Sequence, residues 1–369
     1  MVRVTTNGSL FNYRYNLSKV TNNLNNSMMK VMTGREFNSY AADPAAATRA
    51  FKVHSSLNAI NAQYSNNRTV LSKFESAWSN IEGILDDLSN ELGDVPALGG
   101  LNATNLSTLD SQAQILRSGA EAIIQSMNAR YDEDFIFAGS DNQEAPFAIN
   151  ANGNITYRGV VIDDATELAK EYQDADGNKI MKDDGTGQLV AMTNAEVLKM
   201  WAEDDPLYVD IGLGFELDDN GEVIPSTAFD SAISGIDIMG YDVDGDGDPK
   251  NLASLMLRLA DVFEGYDLET DTWNNGSYED ATRLVNKFQE SKSAMIDKHA
   301  ELDAEAKFLN TNSTQLESNF DALNVELEDI ERVDQVDAIT ELVWAQTCYS
   351  AALQVGVNVI PQSLIDYMR

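Results

Sequence analysis

The chain has 369 residues, enough for roughly two or three domains, and its 60 acidic against 25 basic side chains give a formal net charge of -35. That charge repels nucleic acid and anionic membranes, and the single cysteine, Cys348, excludes an internal disulfide framework and a cysteine-rich metal site. The charge is uneven: residues 1–80 hold 9 Lys or Arg against 3 acids, whereas residues 141–270 hold 29 acids against 7 bases. No apolar run approaches the length of a bilayer span, so no membrane insertion is expected, and the first residues lack the basic-then-apolar pattern of a cleaved signal.

The first predicted element is helical. Leu10, Leu17, Leu24 and Val31 recur every seven residues, with Tyr13 and Val20 between them. Residues 22–26 are rich in asparagine, a weak helix former, so this amphipathic segment is expected to order on assembly. Asp43 and Pro44 then read as the N-cap and first position of a second helix. Along it Val53, Leu57, Ile60, Tyr64, Asn67, Leu71, Phe74, Trp78, Ile81, Leu85, Leu88 and Leu92 alternate steps of four and three. This is a heptad seam with one polar lapse, Asn67. Spanning residues 44–92, the helix would extend about 74 Å at 1.5 Å per residue, before Gly93 and Pro96 stop it. A third helix is predicted over residues 105–134, with Leu109, Ala113, Leu116, Ala120, Ile123 and Met127 on one line.

The middle, residues 141–274, changes character. Residues 147–158 read as a β-hairpin around Asn152-Gly153, and residues 207–211 and 215–224 are further strand candidates. Short helices are expected near residues 194–202 and 252–264. The acidic run Asp242, Asp244, Asp246, Gly247, Asp248 matches the opening of a calcium loop, but Pro249 and Ala253 stand where an aliphatic residue and a bidentate Glu belong. A solvated Asp-Gly turn is the favoured reading, as it is for Asp174, Asp176 and Asn178. No catalytic residue, metal ligand or cofactor site is assigned. His54 reads as a surface or packed side chain, His299 as part of a solvated helix face and Cys348 as a small apolar filler. Carboxylates without a convergent nucleophile identify no chemistry.

Phe288, Met295, Leu302, Leu309, Leu316, Leu323 and Ile330 recur at intervals of seven through an otherwise polar stretch. One apolar line of that length needs a partner, so residues 280–330 are expected to pack against residues 44–134. Phe74, Trp78, Ile81, Ile123, Leu302 and Leu309 are the proposed core. Near the end, Ile339, Leu342, Val343, Leu353, Val357 and Ile360 form apolar stripes in a helix weakened by Gly356. The predicted fold is mainly α with an inserted β-rich domain, an elongated antiparallel helical bundle built from the N- and C-terminal segments.

Residues 28–44, Met-Met-Lys-Val-Met-Thr-Gly-Arg-Glu-Phe-Asn-Ser-Tyr-Ala-Ala-Asp-Pro, resemble the N-terminal element of the bacterial flagellin superfamily, and residues 351–360 resemble its C-terminal partner. The run Phe135-Ile-Phe-Ala-Gly-Ser140, with Pro146-Phe147 and Tyr157-Arg-Gly159, is most similar to the FlgL hook-filament junction family. The family often has two acids before the proline, where this chain has Ala42-Asp43. The resemblance implies a structural, non-enzymatic, flagellin-like subunit without a cofactor. It further implies export through the flagellar channel without a cleaved signal, to an extracellular position at the hook-filament junction. Residues 1–40 plus 335–369 would be inner-core helices, disordered before assembly, residues 41–140 plus 275–334 a long bundle, and residues 141–274 an outward-facing insertion. Leu10, Leu17, Leu24, Val31, Ile339, Leu342, Leu353, Val357 and Ile360 would line the assembly interface. Implied partners are copies of itself, hook-associated protein 1 on the hook side, flagellin on the filament side and a flagellar export chaperone. Flagellin itself and a calcium-binding surface adhesin are the alternatives.

Overall fold

The computed structural model describes residues 6–37, 39, 41–90 and 108–359. Its helices are α1 (Thr6–Thr33), α2 (Pro44–Asn90), α3 (Leu109–Ser126), α4 (Ala165–Leu168) and α5 (Asn194–Glu203). They continue with α6 (Gly235–Met239), α7 (Leu252–Glu264), α8 (Tyr278–Glu331) and α9 (Gln335–Val359). The chain is mainly helical, with a small strand-containing middle.

Local sequence sets the helix limits. Gly34 closes α1: its φ is 68° and its N–H donates to the Lys30 carbonyl at 2.8 Å, a left-handed cap that a β-carbon would strain. Asp43 Oδ1 accepts from the N–H groups of Ala45 and Ala46, both at 3.0 Å, so the Asp-Pro pair starts α2. Thr193 and Glu196 form a capping box at α5, and the Asn251 side chain caps α7. The third helix ends at Ser126, short of the expected limit at residue 134. The chain turns there into a tight hairpin, Arg130–Tyr131 against Asp134–Phe135, with Asp132 left-handed at φ 57°.

The chain divides into two compact units, residues 1–62 with 315–369, and residues 63–314. From the sequence, boundaries fall instead at 40/41, 140/141, 274/275 and 334/335. The two units share α2 and α8, which run unbroken through residues 62/63 and 314/315, and α7, assigned from the sequence to the insertion, packs along α3. In the first unit α1 lies along α9, and Arg35 bridges to Arg332 where the two helices enter their connections. Val333 N–H donates to Gly34 O at 3.0 Å and Glu36 N–H to Glu331 O at 2.8 Å. His54 Nε2 lies 2.9 Å from Glu331 Oε1.

In the second unit Phe74, Ile81, Ile123, Leu302 and Leu309 are buried in one cluster with residues of α7 and the middle. Trp78 is only half-buried, stacked on His299 with ring centroids 4.8 Å apart. His299 is therefore packed rather than solvated, and its Nε2 is buried. The second buried line of α2 runs through Val70, Ala77 and Ile84, one residue before the expected Leu71, Trp78 and Leu85. A lone partner helix would cover a narrow seam. Here α3 and the middle share the core, so a wider face of α2 is enclosed.

The middle is less strand-rich than its sequence suggested. Phe147–Ile149, Ile155–Tyr157 and Val160–Val161 form a three-stranded sheet, and the other sheets among the described residues have two strands. Residues 215–224 supply a single bridge, Leu217 to Val223. One five-residue loop recurs through the region, at residues 150–154, 174–178, 184–188, 218–222 and 244–248. In each, the first side chain (Asn150, Asp174, Asp184, Asp218 or Asp244) accepts through Oδ1 from the N–H groups two and four residues later, at 2.7 to 3.3 Å. A glycine with positive φ stands at the fourth position every time. Much of the local acidity is thus turn chemistry: each first carboxylate satisfies backbone donors that a tight turn would leave open.

Because Leu309 is fully buried between α8 and its neighbours, Leu309→Ala should cost about 2–5 kcal/mol of stability, the range for a large-to-small core change. Chemical denaturation of the full chain measures it.

Candidate assembly site

The α1–α9 pair is built from two unlike faces. The inner side of α1 carries Leu10, Tyr13, Leu17, Val20, Leu24 and Val31, all half-buried. Facing it, α9 turns inward Ala338, Leu342, Ala345, Tyr349, Ala352 and Gly356, again at steps of four and three. Gly356 is buried, and a β-carbon there would stand 2.0 Å from Tyr13 Oη. The glycine that lowers helix propensity is what admits the phenol.

Of the nine residues assigned to an assembly interface, five therefore sit on this intramolecular seam: Leu10, Leu17, Leu24, Val31 and Leu342. Ile339, Leu353 and Val357 are exposed, and Ile360 lies outside the described residues. With them on α9 are exposed Val336, Val343 and Trp344, the last 67% exposed; α1 exposes Phe11 (71%), Tyr15, Met28, Met29 and Met32. A heptad count follows one line and cannot tell which of two apolar faces turns inward. The row of small residues on α9 was the available signal, since small side chains let two backbones approach. Cys348 is exposed, not the packed filler expected. The pair is also charge-complementary: α1 holds Arg14, Lys19 and Lys30 with no acid, α9 holds Asp337 and Glu341 with no base, and Lys30 Nζ lies 3.6 Å from Glu341.

The motif at residues 135–140 is a staple in the second unit. Ile136, Phe137 and Ala138 are buried, Gly139 N–H donates to Ile233 O at 3.1 Å, and Gly235 N–H donates to Phe137 O at 2.9 Å. The Tyr157 hydroxyl donates to the same Phe137 carbonyl at 3.1 Å, and burial pushes this phenol up to about 12, so it remains a donor. Gly235 leaves no space for a side chain: a β-carbon would lie 2.5 Å from the Phe147 ring and 2.9 Å from Phe137 O. Ser140 Oγ and Arg158 Nη1 both donate to the Asp205 carboxylate, at 2.7 and 2.8 Å, and the guanidinium lies over Trp201 at 4.4 Å. The Tyr157, Ser140, Arg158 and Asp205 side chains thus tie the middle to residues 135–140.

The acidic loop at residues 242–248 brings Asp244, Asp246 and Asp248 together. The ammonium of Lys287 on α8 sits on all three carboxylates, at 2.5, 2.8 and 2.6 Å, and Arg283 adds a 2.8 Å bond to Asp248. Hydrogen bonding from Lys287 holds the Asp244 carboxyl down to about 2. The positive charge that a calcium loop would recruit is supplied by the chain itself, and Asp244 Oδ1 is already engaged by two backbone N–H groups.

Residues 4–142 match the family model described as the bacterial flagellin N-terminal helical region. No curated protein matches the chain significantly. Among solved structures, a Vibrio parahaemolyticus protein described as a flagellar hook-associated protein is similar at 14% identity and TM-score 0.50, over 79% of this chain and 100% of that one. A flagellar hook-associated protein-3 from Legionella pneumophila aligns at 12% identity and TM-score 0.44 (75% and 98% of the two chains), and Bacillus cereus FlgL at 14% and 0.39 (75% and 99%). At such identity the likeness to the Vibrio parahaemolyticus protein speaks to the fold alone. No helix among the described residues is long and apolar enough to cross a membrane.

Two outcomes follow from this geometry. Gly356→Leu should weaken the α1–α9 pairing by forcing Tyr13 out of the seam, seen as faster amide exchange confined to residues 6–33 and 335–359. Asp244 ionises below its ordinary 3.8, so the stability of its loop is complete above about pH 4 and is lost as the pH falls toward 2. Lys287→Met should move that loss to higher pH, measured by NMR titration of the Asp244 carboxyl.

Proposed function

We propose that the chain is a structural, non-enzymatic subunit of the bacterial flagellum that joins hook to filament, of the FlgL type. The observation that carries this reading is the α1–α9 pair, in a chain whose residues 4–142 match a flagellin family model, in which each helix keeps large apolar side chains exposed. Exposed apolar area costs about 25 cal/mol per Å² relative to burial, and contiguous rows of it mark surfaces for partners. Phe11, Met28, Met29 and Met32 on α1, and Ile339, Trp344, Leu353 and Val357 on α9, are the contacts offered to neighbouring subunits. The description of the Vibrio parahaemolyticus protein as hook-associated supports the same assignment, as does the resemblance of residues 135–147 to the junction family.

In this reading residues 1–40 plus 335–369 form the inner core, residues 41–140 plus 275–334 the surrounding bundle, and residues 141–274 the outward-facing insertion. The partners are further copies of the chain, hook-associated protein 1 on the hook side, flagellin on the filament side, and an export chaperone beforehand. The subunit travels through the flagellar export channel without a cleaved signal and resides outside the cell at the hook-filament junction. Strong negative charge argues against nucleic acid as a partner. The calcium-adhesin alternative is weakened because the Lys287 ammonium, joined by Arg283 at Asp248, already occupies the acidic loop.

The test uses tagged full-length chain, Phe11→Asp/Trp344→Asp and deletions of residues 1–30 or 340–369 in a strain lacking its own junction protein, with secretion, junction placement and filament attachment scored separately. Full-length chain should localise to the junction. The double substitution, which leaves the intramolecular seam intact, should be secreted yet fail to attach filament. Normal attachment by that variant and by both deletions would sink the assignment, and full-length chain spread along the whole filament would make it a flagellin.

A further inference from the structure

Asn67, the polar lapse in the α2 seam, is completely buried. Its Nδ2 donates to Leu309 O at 2.9 Å, and its Oδ1 accepts from Asn312 Nδ2 at 3.0 Å. Asn312 Nδ2 also donates to the carbonyl of Ile211 at 2.8 Å, in the loop just after the strand Tyr208–Val209. The next amides on α2 hold the same loop. Gln63 Nε2 donates to the Asp210 carboxylate at 3.2 and 3.4 Å, and Asn66 Nδ2 donates to Asp210 O at 3.0 Å. The Ile211 side chain is itself buried. Amides from two helices thus grip two consecutive residues of the middle region, all within the second unit.

Stability alone does not account for this layer, because buried amides contribute little net free energy and two well-packed apolar side chains would serve as well. Register does. The apolar line of α8 (Phe288, Met295, Leu302, Leu309, Leu316) repeats every seven residues without a break, so a slip of one heptad against α2 would again set apolar against apolar. Within the seam only Asn67 marks a position. Even that mark is ambiguous, since Asn319 lies seven residues beyond Asn312 and would present an amide after the slip. The carbonyl of Ile211 and the Asp210 grip remove the ambiguity, because they are supplied once, by a loop anchored in the folded middle.

We propose that Asn67, Asn312 and the Asp210–Ile211 loop form a register lock, through which the middle region fixes how α2 and α8 pair. The inserted region is then a part of the helical pairing rather than an ornament on it. This holds whatever the chain assembles with.

The experiment replaces both amides, Asn67→Leu/Asn312→Leu, in the full chain carrying Cys348→Ser, with spin labels at Arg68→Cys and Thr311→Cys. Midpoint denaturation should be unchanged or higher. The pulsed-EPR distance, single in the parent, should split into two populations, the second arising from an axial slip of about 10 Å, one heptad at 1.5 Å per residue. Amide exchange over residues 208–214 should speed at least tenfold. One narrow distance identical to the parent overturns the proposal, whatever the loop does. If the double variant fails to fold, Asn312→Leu alone decides by the same distance, since it removes both the Asn67 partner and the Ile211 tie: a second population supports the lock and its absence overturns it.

Discussion

The constraint on which the structure rests is that α2 and α8 each carry an apolar stripe that neither can bury alone. A helix of 47 residues and one of 54 draw their stability in the fold chiefly from packing that stripe rather than from propensity. Within the second unit the other elements supply partners for those stripes. Residues of α3, α7 and the strand-bearing middle join the second unit's core, and Leu116, Phe263 and Phe288 lie in one buried cluster with Phe74 and Ile81. Widening that core moves α2's second buried line to Val70, Ala77 and Ile84.

The acidity of the middle has two structural uses. Asp174, Asp184, Asp218 and Asp244 each close a turn with two backbone N–H groups, and hydrogen bonds hold each of these carboxyls below the ordinary range. The leading donor differs: the Asn178 N–H for Asp174, the Thr186 side chain for Asp184, the Glu222 N–H for Asp218 and Lys287 for Asp244. Asp244 has the second use as well, since with Asp246 and Asp248 it fastens the loop to α8 through Lys287. A segment dense in carboxylates can therefore be well satisfied without any bound cation, and its remaining charge keeps the surface hydrated.

The terminal pair follows a different economy. Inward, α9 sets alanines and a glycine alongside Leu342 and Tyr349, and Tyr13 lies over Gly356. Outward, both helices spend their largest apolar side chains on surface the chain does not cover. A monomeric protein would normally place those residues inside. Each helix of the pair thus carries apolar side chains on two faces, one within the seam and one exposed.

The sequence by itself determined the long helices, the start of α2 at Asp43-Pro44, the limits of α7 and the seams through Phe74, Ile81 and Leu309, because periodicity and capping act over a few residues and are written locally. It also carried the family resemblance, in residues 28–44 and 135–140. Only the tertiary structure decided which face each terminal helix turns inward, since Leu10 and Ile339 look equally apolar in a heptad count and only the partner's shape separates them. The same is true of Lys287, whose three carboxylate partners lie about forty residues away in the chain, and of Asn67, which reads as a lapse until Asn312 and Ile211 are brought beside it. Long-range pairing sets the use of a polar residue, and no local pattern records it.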